Sequence, residues 1–551
     1  MPALAYRRRR APAADGAALI DPPLGDIPAL LDSNHRLATA GAFDCQGLSR
    51  PELQARARGE LLAEALAFTG EYRDVAFAKD VTAATRFVLA GHQPELFHAG
   101  VWFKHFLLSA AGARPRAVGI NLVVDTDAVH GTTIRVPVRS GQHAAIENVA
   151  YDAPGQGLPY EEQPLIDKWL FNSFAERVLA AYNTCLVPGR QPHRLLVEDL
   201  WRAASAYIEQ AEAEAKLGLL IARARHWVEW QLGLSTLEVP LSSVVRTSGF
   251  RWFALHLLAH LPRLRQIYNA ALAEYRLVNH VRSAAHPVPA LQQEDDWLEA
   301  PFLLWTKENP RRRHAYVLER RDSLILSDRR DVRLTLDLKR DESPEKAVEQ
   351  LAAAESRGVK LRPRALITTM YARLVLGDLF IHGIGGAKYD ELTDAIIRRF
   401  FGIEPPAYMT ATATFRLPID RPQVTIEDVR ETAQAIRDVR YRPEALLNDP
   451  RVKGDAELAQ QLASLAADKR DYLARHDLRR CSQEVFARLD ALDRAMHELL
   501  KPIEQELRVE QAERIAQLKH AQLLAQREFS FVLFPSEILP ARLLDLCKVL
   551  S

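Results

Sequence analysis

Cysteine is scarce in this chain. Four residues in 551, Cys45, Cys185, Cys481 and Cys547, stand far apart and form no C-x-x-C pair. That spacing excludes a dense disulfide framework and disfavours a zinc knuckle, so a reducing, cytoplasmic compartment is the expectation and no metal is expected. An excess of charge is missing too. The 72 basic residues nearly cancel the 71 acidic ones, for a formal net charge of +1, and nothing in that balance calls for nucleic acid or a membrane surface as partner. No run of about 18 apolar residues exists to span a bilayer. Arg7 to Arg10 lie near the start, but the APAADGAALIDPP that follows has no sustained apolar stretch, so these arginines read as a solvated tail and not as part of a secretory signal. The Walker A loop, the full dinucleotide fingerprint, HExxH, the EF-hand loop and the serine nucleophile elbow are all absent.

What is present has globular proportions, 48% apolar and 26% charged. The length exceeds what one core usually supports, which predicts two to four structural units. After a flexible lead-in over 1–30, a helix is expected at 51–68, capped by Ser49 and ended near Gly70. A strand at 86–90, a Gly-Pro turn, a helix and the apolar run 117–124 then make a strand-loop-helix-strand unit, the grammar of an α/β fold with a buried parallel sheet. Residues 31–150 are read as the first part of that core. Residues 151–340 are read as an insertion, helical at first and then β-rich around 300–305, 315–318 and 324–326. The core resumes over 341–420 with a short strand at 379–381 and a glycine-rich loop. From 421 to 528 the chain is helical. Leu489, Leu492, Met496, Leu499 and Ile503 step by three and four there, as a coiled-coil seam requires, in what reads as two antiparallel helices with a break near Pro450 and another near His476. The seam could close within the chain or against a second copy. Residues 529–551 are expected to return to the core.

Three segments are candidates for chemistry. The first is the loop GHQPELFHAGVWFK, with Gly91, His92, Gln93, Phe97, His98, Gly100 and Lys104. A loop feeding a helix start can hold phosphate or carboxylate on backbone amides, with His98 and Lys104 as added donors. The second is Asp125-Thr126-Asp127, where two carboxylates at a strand end could orient an amine or act as a base. The third is His382-Gly383-Ile384-Gly385-Gly386-Ala387-Lys388-Tyr389-Asp390, whose glycines would allow a ligand close to the backbone while Lys388 neutralises an anion. Outside these segments, the triplet Arg311-Arg312-Arg313 reads as a solvated hairpin edge.

In their order along the chain these features resemble the bacillithiol synthase family, the cysteine-adding enzymes of bacillithiol biosynthesis. The family loop reads approximately G-Q-Q-x-G-L-F-x-G-P-L-Y, and Gly91, Gln93, Leu96, Phe97 and Gly100 fall on matching positions, with His92 and Val101 in place of a glutamine and the proline. Asp125-Thr126-Asp127 is similar to a reduced form of its E-D-H-D turn, and residues 383–402 to its Gly-Gly loop and following helix. The resemblance implies a Rossmann-like core of nucleotidylyltransferase type and a C-terminal coiled-coil arm that makes a homodimer. It also implies a ligase that joins a cysteine-like amino acid or other carboxylate to an amine. On that reading His98 and Asp127 are the catalytic pair, the other residues of the three segments bind ligand, and ATP or ADP is the expected nucleotide. The alternative is a non-catalytic small-molecule-binding or scaffold protein that associates through its arm.

Overall fold

The computed structural model describes residues 9–40, 43–140, 143–186, 193–210, 215–339, 342–476 and 482–549. Arg7, Arg8 and Cys481 lie outside the described residues. Cys45, Cys185 and Cys547 are buried free thiols.

Six short strands form one sheet: β1 (Ala18–Asp21), β2 (Arg86–His92), β3 (Ala117–Val123), β4 (Thr236–Pro240), β5 (Leu379–His382) and β6 (Met409–Ala413). They stand in the order β1-β6-β5-β2-β3-β4. β2 to β6 run parallel to their neighbours, and β1 is antiparallel on the edge. The fold is therefore α/β with a mixed sheet. From β2 the chain winds outward through β3 to β4, then returns to lay β5 and β6 on the other side of β2. The direction of winding reverses between β2 and β5, and the crevice above their carboxyl ends is where open α/β sheets bind ligands.

Both faces of the sheet are covered, which is why its inner strands read as continuous apolar runs. Phe87 and Leu89 of β2 pack on one side with Leu53 and Leu61 of the helix Arg50–Gly70. Val88 and Ala90 point the other way, onto Trp102, Phe103 and Phe106 of the helix Ala99–Gly112. The first of these helices starts in a capping box in which Ser49 and Glu52 satisfy each other's end of the turn.

Two expectations need correction. The lead-in is not flexible over its described part, because β1 pairs with β6, Leu24 and Ile27 are buried, and Arg9 bonds Glu391. Pairing there removes the open edge that β6 would otherwise present. The second correction concerns 151–340, which is more than an insertion, since it supplies β4 to the core sheet. β4 was hidden in the sequence because its central residue is Glu238, fully buried in a five-residue strand. The β-rich section does form a second sheet, antiparallel, from Trp297–Thr306, Arg313–Glu319, Leu324–Ser327 and Arg333–Leu336. It also takes Val359–Pro363, which had been assigned to the resumed core.

Among the described residues the arm has three principal helices, Ile426–Tyr441, Ala456–Arg475 and Gln483–Leu524; the first two are separated by the break near Pro450, and the second ends beside His476. The last helix is about 63 Å long at about 1.5 Å per residue. Its buried stripe is Leu492, Met496, Leu500, Ile503 and Leu507, with Leu500 in the place expected for Leu499. Its members from Met496 to Leu507 pack against Val439, Leu446, Val452, Leu462 and Ala466 of the same chain. The seam that carried the homodimer expectation is thus filled from within. Beyond the arm, Phe531 returns to stack on Trp102 in the core, with ring centroids 4.5 Å apart. Among the described residues no helix is long and apolar enough to cross a membrane.

Candidate functional site

β2 and β5 are paired neighbours, so the loop after His92 and the glycine-rich loop after His382 emerge side by side from the carboxyl edge of one sheet. Asp125 and Asp127 follow β3 on that same edge.

Asp127 is the partly exposed member of the acidic pair. Gln93 Nε2 donates to its Oδ2 at 2.8 Å, the Ala128 N–H donates to Oδ1 at 2.9 Å, and Arg312 Nη1 also donates to Oδ1. Arg312 is therefore an ion-pair partner that the second sheet extends over the core, and not a solvated hairpin edge. Burial acts to raise the Asp127 pKa, but Gln93, Arg312 and the Ala128 amide outweigh it and hold the carboxyl below its ordinary value. An ionised, well-bonded carboxylate of this kind is better suited to holding an ammonium than to removing its proton.

Asp125 is 1% exposed and turned inward. Its two oxygens accept from the backbone N–H (2.8 Å) and the hydroxyl of Ser242, just past β4. Burial and the nearby Glu161 push its pKa up to about 7. A carboxyl raised in the folded state contributes stability that is complete below its ordinary 3.8 and lost as pH rises through about 7. Asp125→Asn removes the charge while its amide oxygen accepts from the Ser242 N–H and its amide nitrogen donates to the Ser242 hydroxyl, reversing that bond. Its melting temperature should therefore fall less than that of the wild type between about pH 4 and pH 7. Parallel curves would show that Asp125 titrates normally.

On the other side of Gln93, His98 caps the helix Ala99–Gly112, its Nδ1 accepting from the Gly100 N–H at 3.1 Å. Burial first, then Arg527 and Lys104, lower its pKa to about 4. His98 is thus neutral, with Nε2–H as its donor. His92 is likewise lowered to about 3 by burial and Lys104. Lys104 is buried, donates to the Gly91 carbonyl at 3.1 Å, and is brought by desolvation down to about 8. Phe97 packs between the rings of His92, His105 and Phe531. Gly100 is a point of close approach: a Cβ there would collide with the Ala413 carbonyl.

In the third segment Gly383 precedes the helix Ile384–Phe400, and both Gly383 and Gly385 have open space where a Cβ would stand. A Cβ on Gly386 would meet His382 Nδ1 at 2.7 Å. His382 and Asp390 lie beneath the loop. His382 Nε2 is 2.6 Å from Asp390 Oδ2, and Asp390 also accepts from Thr369 (2.7 Å) and Arg373 (2.9 Å). This buried network anchors the helix under the loop. Lys388 is exposed. Gln93, His98, Asp127, Gly383 and Gly385 thus lie in the segments that leave this edge of the sheet, while Lys104, Asp125, Phe97, His382 and Asp390 are buried behind them.

Sequence reasoning missed Ser242, Glu161, Arg312 and Arg527, each distant along the chain from the residue it serves; the basic triplet at 311–313 was the one available signal. It also missed a buried cluster with metal-ligand spacing, His105, Glu229 and Glu238. A cation already occupies its centre. Arg225 Nη1 lies 2.8 Å from both Glu229 oxygens and from His105 Nδ1, and Nη2 donates to Glu238 at 2.5 Å. The guanidinium takes the position a metal would need, and the cluster is an ion network. No protein-family model matches this chain, and no curated protein matches it either.

Proposed function

We propose that this chain is a bacillithiol synthase-like ligase with a Rossmann-like core of nucleotidylyltransferase type. It joins a cysteine-like amino acid or other carboxylate to an amine, with ATP or ADP as the nucleotide. The observation that supports this reading is that the loops after β2, β3 and β5 leave the same edge of one sheet, where its winding reverses. The loop after β2 bonds the ionised Asp127 through Gln93 and leads, through the capping His98, into the helix that carries Lys104.

Amide formation from a carboxylate needs the acid activated, and a bound nucleoside triphosphate supplies that activation. The residues present fit such a group, because Lys104 is a buried ammonium whose one hydrogen bond among the described residues is to a carbonyl. In this reading Lys104 and the amides of the helix start attract phosphate, and His98 Nε2–H donates to it or to developing negative charge. Asp127 holds the amine substrate through its ammonium form. Gly383 and Gly385 form the opposite wall, where the lack of a side chain leaves room.

Isothermal titration of the full chain with ATP, ADP and cysteine, repeated on His98→Ala, tests this. A nucleotide should bind the wild type and bind the variant about tenfold more weakly, the cost of one hydrogen bond to a charged group. No binding by any of the three would remove the support for a ligase.

One observation favours a second reading, a binding protein that associates through its arm. The outer face of the arm leaves Phe486 and Val509 more than half exposed, although the seam itself is filled. Light scattering on the wild type and Val509→Glu decides it: a dimer that becomes a monomer supports the reading, and a wild-type monomer removes it.

A further inference from the structure

Arg527 stands in a partly desolvated place, where burial works against its charge and Glu528 only partly offsets it. Its guanidinium lies against Gly100, so near that a methyl group there would come within 2.5 Å of Nη2. Gly100 is the second residue of a 14-residue helix, and the amides of a first turn carry partial positive charge. The same helix holds the Lys104 ammonium, 3% exposed. The hydrogen-bond partners of Arg527 among the described residues are hydroxyls: Nη2 donates to Thr412 at 2.9 Å and Nη1 to Thr414 at 3.2 Å. Among the described residues neither Arg527 nor Lys104 has a carboxylate within salt-bridge reach. His98, the N-cap of the same helix, is driven neutral by burial and by both cations. A positive group held in a partly desolvated place is stabilised by an anion brought beside it.

We propose that Arg527, Lys104 and the start of the helix Ala99–Gly112 together bind one anionic group of the ligand, a phosphate or a carboxylate, with Thr412 and Thr414 aiming the guanidinium. The site is completed by the segment that leaves the arm. Arg416 Nε donates to the Ala525 carbonyl at 3.1 Å, Arg135 Nη2 to Gln526 Oε1 at 2.9 Å, and the Phe531 N–H to the Phe97 carbonyl at 2.9 Å. Residues 525–531 are thereby pinned between β6, the hairpin of Thr133–Ser140 and His143–Ala150, and the loop after β2. An anion held by Arg527 stabilises this closure, and the closure in turn presents Arg527 to the anion. The inference rests on the proposed reading only for which loop binds ligand; amide formation is not required.

Titrations with ADP and with malate at constant ionic strength, on wild type, Arg527→Gln and Arg527→Lys, distinguish a phosphate from a carboxylate as the bound group. Whichever ligand binds should lose about 10- to 100-fold in affinity in Arg527→Gln, the range for one or two charge-assisted hydrogen bonds, and recover part of it in Arg527→Lys. The unliganded Arg527→Gln protein should melt no lower than the wild type, which separates lost binding from lost folding. Ligand should also slow hydrogen exchange over residues 525–531 in the wild type and not in Arg527→Gln. Equal affinities in wild type and Arg527→Gln, or binding of neither ligand, would overturn the proposal. Binding that depends on Arg527 in a protein that forms no amide would end the ligase reading and leave the anion site standing.

Discussion

Lys104→Met raises the melting temperature at pH 7 and removes anion binding. The physical reason is that Lys104 is a charged group in an apolar place with one carbonyl for company. Burial shifts its pKa from 10.5 to about 8, which at about 1.4 kcal/mol per pH unit is a folding cost of roughly 3 kcal/mol for keeping the ammonium charged. Methionine fills a similar volume without that cost. The sign also fixes the pH dependence. Between about pH 8 and 10.5 the unfolded chain holds a proton that the folded chain has released, so this group makes the wild type more stable as pH rises through that window. The variant lacks that rise. Calorimetric melting curves at several pH values check both statements. A residue whose removal stabilises the fold while abolishing binding is placed for function; a fall in melting temperature would show instead that the ammonium has a structural counter-charge.

Arg225→Met produces the opposite result, a loss of about 3–5 kcal/mol, because it leaves two buried carboxylates without their cation. Glu229 and Glu238 are 1% and 0% exposed. Trp102 and His105 also bond Glu229, at 2.7 and 2.8 Å, and Asn121 bonds Glu238 at 2.6 Å. These neutral donors cannot replace a guanidinium shared by both acids. Glu238 is already pushed up to about 7, by burial and by Glu229, so in the variant one or both acids take up protons and stability improves toward low pH. Urea unfolding at pH 5 and pH 8 measures the loss and its pH dependence. Adding Glu229→Gln and Glu238→Gln to Arg225→Met should restore much of the stability, since the three residues act as one unit. A small loss in the single variant would mean that water reaches the cluster.

Part of this organisation is written locally in the chain. The apolar runs of β2 and β3, the capping residues of the helix Arg50–Gly70 and the three-four spacing of the arm each declare themselves within a dozen residues. So do the two glycine-bearing loops, because a glycine between a strand and a helix has few structural meanings. The rest depends on contacts between distant residues. β4 could not be read because Glu238 interrupts it and its partner Arg225 lies on another element. Asp125 and Asp127 look like one pair, yet the Asp125 N–H bonds the Val123 carbonyl at 2.8 Å, and this tight turn sends the two side chains to different partners. Arg312 meets Asp127 across 185 positions of sequence. Arg527 reaches the first helix of the strand-loop-helix-strand unit only because the arm leaves the core and returns, a path no local pattern encodes.

The central claim is that the loops after β2, β3 and β5 surround one ligand. Hydrogen exchange across the whole chain, with and without saturating ATP or ADP, tests it most directly. The expected result is simultaneous slowing over residues 93–98, 125–130 and 383–388, three stretches far apart in sequence that share one edge of the sheet. Slowing confined to a single one of them, or found only elsewhere, for instance along the arm, would contradict the account.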